Sequence, residues 1–168
     1  MPDYTLNTSQ VVDSALKKIA DTLMAKFNFN AQYGYRPLRP SDISKMSSVT
    51  GTAAYSYTLA AGTSTILTFT IPADYAIAIF GLEGYNVGSL AGGYSQIIVN
   101  GVVRQEIPLA DLASAQSGQV YAFDQTVLAT STEVVSWVIN NPQTTSVSAA
   151  IWLLGYIAGK KSALNIRE

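Results

Sequence analysis

The chain contains no cysteine and no histidine. Without Cys there is no disulfide and no thiolate chemistry, and the redox compartment is left undetermined. Without His the commonest general base and metal ligand is missing. Charge is scarce as well. Charged residues make up 12% of the chain, where about 25% is typical. A membrane helix needs about 18 or more apolar residues. The charge-free run Val147–Ile157 is too short for that before Lys160-Lys161 stops it. Met1-Pro2-Asp3 is followed by polar residues, so no signal peptide is expected. What the chain does have is hydrophobic residues, at 48%. A soluble monomer so built has trouble covering its surface, and burial against partners or copies of itself is the expectation.

At 168 residues the chain suits one domain with an appendage. Its net charge of −1 hides a segregation. Residues 1–48 hold six basic residues against four acidic, a net +2. Residues 49–159 hold only Arg104 against six acidic residues, a net −5. The tail 160–168 returns to +2. The expected organisation follows this division: an N-terminal helix and extended arm over 1–48, a β-sandwich body over 49–159, and a basic C-terminal tail over 160–168. A basic arm beside an acidic body favours contact with a neighbouring copy or another acidic surface.

The last two apolar segments, Val134–Ile139 and Val147–Ile157, hold both Trp137 and Trp152. Joined by Asn140-Asn141-Pro142-Gln143-Thr144-Thr145, they read as a hairpin at the centre of the body, with both tryptophans buried on neighbouring strands. Periodicity alone leaves a buried helix open for the second run. Residues 9–27 predict a helix. Ser9 suits the N-cap, and Val12, Leu16, Ile19, Leu23 and Phe27 form one apolar stripe. Asp13 and Lys17 form an i,i+4 pair on the other face. The stripe packs either on its own domain or on a neighbour, because so short a helix is marginal alone.

Residues 28–48 read as an arm. Pro37 and Pro40 favour an extended path, and Gly34 lets it bend. Phe29, Tyr33, Tyr35 and Leu38 offer apolar contact, and Arg36 and Arg39 can bind carboxylates. With Phe27, Pro37 and Pro40, these residues are the expected partner contacts. Deleting residues 1–48 is expected to leave a folded body that no longer attaches to its assembly. Aromatics with arginine also suit single-stranded nucleic acid, but the number here is small, and protein contact is the stronger expectation.

From about residue 50 the pattern alternates with period two. Strands are expected at 55–59, 67–71, 77–81, 94–99, 102–107, 120–128, 134–139 and 147–157, with Asn100-Gly101 as a hairpin turn. A helical turn is expected over 109–115, and a flexible loop over 84–93. The fold class is therefore all-β: an eight-stranded antiparallel β-sandwich, jelly-roll-like, carrying an N-terminal helix and an extended arm.

Catalysis is not expected. Loop 81–93 lacks the Lys-Ser/Thr of a phosphate cradle, and Ser or Thr nucleophiles lack a His partner. Glu83, Glu106, Asp111, Asp124 and Glu133 leave two-carboxylate glycosidase chemistry open, without motif spacing. No cofactor or metal is implied. The sequon Asn7-Thr8-Ser9 means little without a secretory signal.

The strand segment Thr65-Ile-Leu-Thr-Phe-Thr-Ile-Pro-Ala-Asp74, the Asn100-Gly101 turn and the charge-free last strand resemble the jelly-roll proteins of virus capsids. A helix and arm ahead of such a body are similar to tailed-phage cement or decoration proteins. The resemblance covers roughly residues 9–158 and supplies no catalytic or binding residue by motif. It implies a structural protein at the capsid surface of a virion. Such a protein forms homo-oligomers, trimers first among them, and contacts the major capsid protein or neighbouring copies through its arm. A jelly-roll major coat protein shares these features. So does the receptor- or carbohydrate-binding head of a viral fibre, with Tyr85 and Tyr94 at the rim of loop 84–93.

Overall fold

The computed structural model describes residues 8–114 and 120–166, the side chains of 8–14 and 114 excepted. The Ser9 cap, Val12 and the Asp13–Lys17 pair therefore lie outside what is described. In chain order the elements are α1 (Thr8–Ala25), β1 (Tyr33–Pro37), α2 (Pro40–Ile43), β2 (Ser47–Gly51), β3 (Ser56–Leu59), β4 (Gly62–Thr70) and β5 (Ala76–Tyr85). A single 3-10 turn covers Gly88–Leu90. Then come β6 (Tyr94–Val99), β7 (Val102–Pro108), α3 (Leu109–Ser114), β8 (Val120–Ala129), β9 (Val134–Asn141), β10 (Val147–Lys160) and α4 (Lys161–Leu164).

Among the described residues there are ten strands, not eight. Of the two additional ones, β1 comes from the segment expected to be an arm, and β2 straddles its boundary with the body. Two antiparallel sheets result. The first runs β1-β10-β5-β8, and the second β2-β4-β9-β6-β7. Because β5 occupies one edge of β10, β1 and β3 share the other. β1 pairs with residues 156–160 and β3 with residues 147–150. From β3 onward the pairs are nested: β6 with β7, β5 with β8, β4 with β9, β3 with β10. Successive pairs fall in alternate sheets, so the eight strands form one long hairpin folded over on itself.

The alternation of the strands builds the core. Ile77, Ile79 and Leu82 of β5 meet Leu67 and Phe69 of β4, Ile97 of β6 and Trp137 of β9 in a single buried cluster. Each large side chain so buried is worth about 1.5–3 kcal/mol. At the Asn100-Gly101 turn both residues have positive φ (50° and 79°), the geometry of a two-residue hairpin loop. The alanines that alternate with Ile77 and Ile79 serve the other face. Ala76, Ala78 and Ala158 are small enough for Leu23 of α1 to seat among them, with Ile19 and Phe27 alongside. The helix thus packs on its own domain.

Several expectations are corrected. The last two strands do not form a hairpin. β9 lies in the second sheet and β10 in the first, and the Asn140–Thr145 turn carries the chain across the sandwich. Both tryptophans are buried, but in opposite sheets, with ring centroids 5.9 Å apart across the core. Loop 84–93 is not a free loop. β5 extends to Tyr85, and Val87 and Leu90 are fully buried. Segment 28–48 contains a helical turn despite its prolines, because Pro40 stands at the first helical position, where its missing N–H is not needed. The described residues of the basic C-terminal tail continue the fold. β10 continues to Lys160, and α4 buries Leu164.

Candidate functional site

The nine residues expected to contact a partner divide into two groups. Leu38 is buried in the chain's own core. Its N–H donates to Gly155 O at 2.8 Å, and its carbonyl accepts Trp152 Nε1 at 3.2 Å. Arg36 donates through both terminal nitrogens to the buried Asp42 carboxylate, and through Nε to Leu164 O at 2.9 Å. The hydrogen-bonded Asp42 carboxylate holds the Arg36 pKa above its ordinary range, against desolvation, which pulls it down. Asp42 also accepts the Arg39 N–H, so the Arg36–Asp42 pair ties β1, α2 and the end of α4 together. Phe27 stacks on Tyr33 at 4.4 Å, and both are half-buried. Tyr35, Pro37, Arg39 and Phe29 are exposed, Phe29 by 64%. Pro40 is half-buried. The backbone of Tyr33–Pro37 pairs along the edge of the chain's own β10.

The outer face of the first sheet carries the larger feature. Between β1 and β3 the edge of β10 is unpaired for a short stretch, and Trp152 fills that gap. Its indole bonds Leu38 O on one side and meets the Tyr55 ring edge-on at 6.0 Å on the other. Trp152 then touches Trp137, which touches Tyr57 at 5.7 Å, so four aromatic rings run from exposed Tyr55 through the core to half-buried Tyr57. Trp137 Nε1 donates to the buried Ser95 hydroxyl, which donates to Val138 O. Tyr57 Oη accepts the Ala54 N–H and donates to Thr52 O, both at 3.0 Å. Burial, set against the Ala54 hydrogen bond, raises the Tyr57 phenol above its usual value of 10.0.

Several clefts open on this face. One of about 260 Å³ lies between Tyr55 and Tyr85, with Glu83 and Trp152 in its lining. A second, of about 370 Å³, continues from Tyr55, Glu83 and Trp152 towards Arg39, Phe80 and Tyr156. A third, of about 630 Å³, separates α1 from β8 and is lined by Leu16, Ile19, Phe80, Val120, Phe123 and Leu154, with Lys18 and Asp124 beside them. Phe80 and Leu154 line both the second and the third. Phe80 owes its position to an irregularity. The register between β5 and β10 jumps from Leu154↔Gly81 to Gly155↔Ile79 and skips it. Gly155 is required there, since a Cβ would collide with the Ala78 carbonyl.

Of the residues singled out in the sequence, Tyr85 and Glu83 lie in this cleft. Tyr94 does not join them: it stands on β6 of the second sheet, with its hydroxyl 3.3 Å from Thr63 Oγ1. Sequence reasoning missed Tyr55 and Trp152 as lining residues. Tyr55 read as one more alternating strand residue, and nothing local reveals the broken edge of β10. Among the described residues no group of three or more His, Cys, Asp and Glu side chains is placed to hold a metal, and no helix is long and apolar enough to cross a membrane.

No family model matches the chain, and no curated protein matches it. Among solved structures it is similar to dimeric latent PorU from Porphyromonas gingivalis, at 13% identity and a TM-score of 0.35. That match covers 76% of this chain and only 12% of the other. A pentameric capsid protein isolated from metagenomic phage sequences is similar at 16% identity and a TM-score of 0.27, covering 63% of this chain and 59% of that one. An exo-beta-1,3-galactanase from Phanerochaete chrysosporium, in complex with galactose, is similar at 14% identity and a TM-score of 0.29, covering 74% and 29%. At scores this low the likenesses carry no argument about function.

Proposed function

We propose that the chain is a structural virion protein at the capsid surface, whose jelly-roll body assembles with copies of itself. The observation that supports this is the nested winding of β3 to β10. One eight-stranded hairpin rolled into two sheets, with successive pairs in alternate sheets, fits the winding of a jelly roll, a fold common in capsid domains. The charge content of 12% and the apolar clefts on the first sheet fit a body whose surface is covered in an assembly. A cement or decoration role, as a trimer fastened to the major capsid protein, is the first form of this reading. Phe29, Tyr35, Pro37 and Arg39 remain outward for such contacts. A major coat protein is the second form. It is favoured because β1 is engaged with its own β10, which leaves fastening to the body. Enzymatic activity is not part of the proposal.

The test is rebinding. Purified protein is mixed with particles stripped of it and with intact shells, and pelleted. A cement protein returns to stripped shells at a fixed copy number. A coat protein instead forms shells or shell-like assemblies when concentrated alone. The absence of both rebinding and self-assembly would sink the virion reading.

A further inference from the structure

The slot between Tyr55 and Tyr85 combines features that point to a ligand. The two tyrosines are 55% and 70% exposed, an unusual placement for large aromatic side chains. They stand on opposite sides of β10. Tyr85 is in register with Ala150 on β5, and the Tyr55 carbonyl accepts the Ile151 N–H from the other edge. Adjacent strands lie about 4.8 Å apart, so the rings rise roughly 10 Å apart. Between them Ala150 contributes only a methyl group, which leaves the slot open. Glu83, in register with Trp152, reaches the same cleft. Among the described residues no ion pair or hydrogen bond engages its carboxylate.

We propose that this slot binds a neutral hexopyranose unit of a glycan. A sugar ring in van der Waals contact with an aromatic ring sits roughly 4 Å from it, so a slot of this width admits one ring with a tyrosine on each side. An ionised carboxylate is an acceptor only, and its two oxygens suit the paired hydroxyl donors of a vicinal diol. The same carboxylate, on a body of net charge −5, disfavours sialylated or phosphorylated ligands. Among the described residues Glu83 is the one carboxylate lining the cleft, so those residues hold a sugar without the second acid that hydrolysis needs. The inference does not depend on the virion reading, because such a slot serves a coat protein and a free binding module alike.

The experiment presents the full-length chain to an array of oligosaccharides ending in galactose, glucose or mannose, with sialylated counterparts, and titrates the best neutral binder. Tyr85→Ala and Glu83→Gln are measured alongside, each with its mass by analytical ultracentrifugation. Tyr85 is exposed and Glu83→Gln is isosteric, so both variants should fold. The expected result is binding of a neutral glycan that falls at least tenfold in each variant at unchanged mass. Binding to none of the neutral glycans overturns the proposal, as does preference for the sialylated set or binding indifferent to both substitutions. A lower oligomer mass for Tyr85→Ala also overturns it, by making the slot an interface between copies.

Discussion

At the scale of single residues, the two tryptophans show both what a sequence discloses and what it withholds. Their burial was legible from the charge-free run around Trp152 and the alternation around Trp137. Their placement in opposite sheets was not. A turn with Asn-Asn-Pro suits a tight hairpin and a sheet-crossing connection equally, and only the pairing partners of β9 and β10 distinguish them. Half-buried Tyr57, which packs on Trp137, supplies a pH prediction. Its folded pKa is raised above the unfolded value by burial, so the unfolded state loses its proton first as pH rises. The stability that neutral Tyr57 contributes is intact below pH 10.0 and declines as pH climbs through the raised folded value. Melting temperatures from pH 8 to pH 11 should fall more steeply above pH 10.0 for the native protein than for Tyr57→Phe. The variant starts lower, having lost the hydroxyl bonds to Ala54 and Thr52. Parallel profiles for the two proteins would remove Tyr57 from the account.

At the scale of elements, the strands from β3 onward were legible because most alternate along the chain between recognisable turns, and β10 stands out as a charge-free apolar run. β1 and β2 were not. Tyr33–Pro37 buries little beyond a glycine, and every residue of Ser47–Gly51 is exposed, so neither carries a buried-face pattern. Both are edge strands held by backbone pairing, and hydropathy does not record backbone pairing. The consequence reverses an expectation about truncation. Removing residues 1–30 takes away α1 and bares Ala76, Ala78 and Ala158, yet keeps both sheets. That protein should still melt cooperatively, with lower solubility. Removing residues 1–48 also extracts Leu38, Ile43 and Met46 from the core and strips Trp152 Nε1 of its acceptor. Three large side chains at about 1.5–3 kcal/mol each approach the 5–15 kcal/mol that stabilises a typical domain. Circular dichroism should show no cooperative transition for this shorter form. A sharp melt close to that of the full chain would restore the view of 1–48 as a detachable arm.

At the scale of the whole molecule, composition and structure bear on one question: what covers the first sheet. α1 protects the small-residue half of its outer face, around Ala76, Ala78 and Ala158. Beyond the helix lies the cleft of about 630 Å³, where Phe80, Phe123 and Leu154 line the gap to β8. Charge is too sparse to shield it, since only Lys18 and Asp124 among its lining residues are ionic. A second copy suits this cleft, because the surplus positive charge of residues 1–48 and the surplus negative charge of the body attract between copies as well as within one. Light scattering at micromolar concentration should therefore give a multiple of 17.9 kDa, three copies being the first expectation. Salt decides which force holds the copies together. Exposed ion pairs are largely screened at 1 M, where the Debye length is about 3 Å, while apolar burial is not weakened. The mass should persist from low salt to 1 M and should drop on Phe123→Asp, which places a charge in the cleft. A monomer at low salt would contradict assembly itself. An oligomer that dissociates in salt but tolerates Phe123→Asp would shift the contact from the cleft to the charged segments.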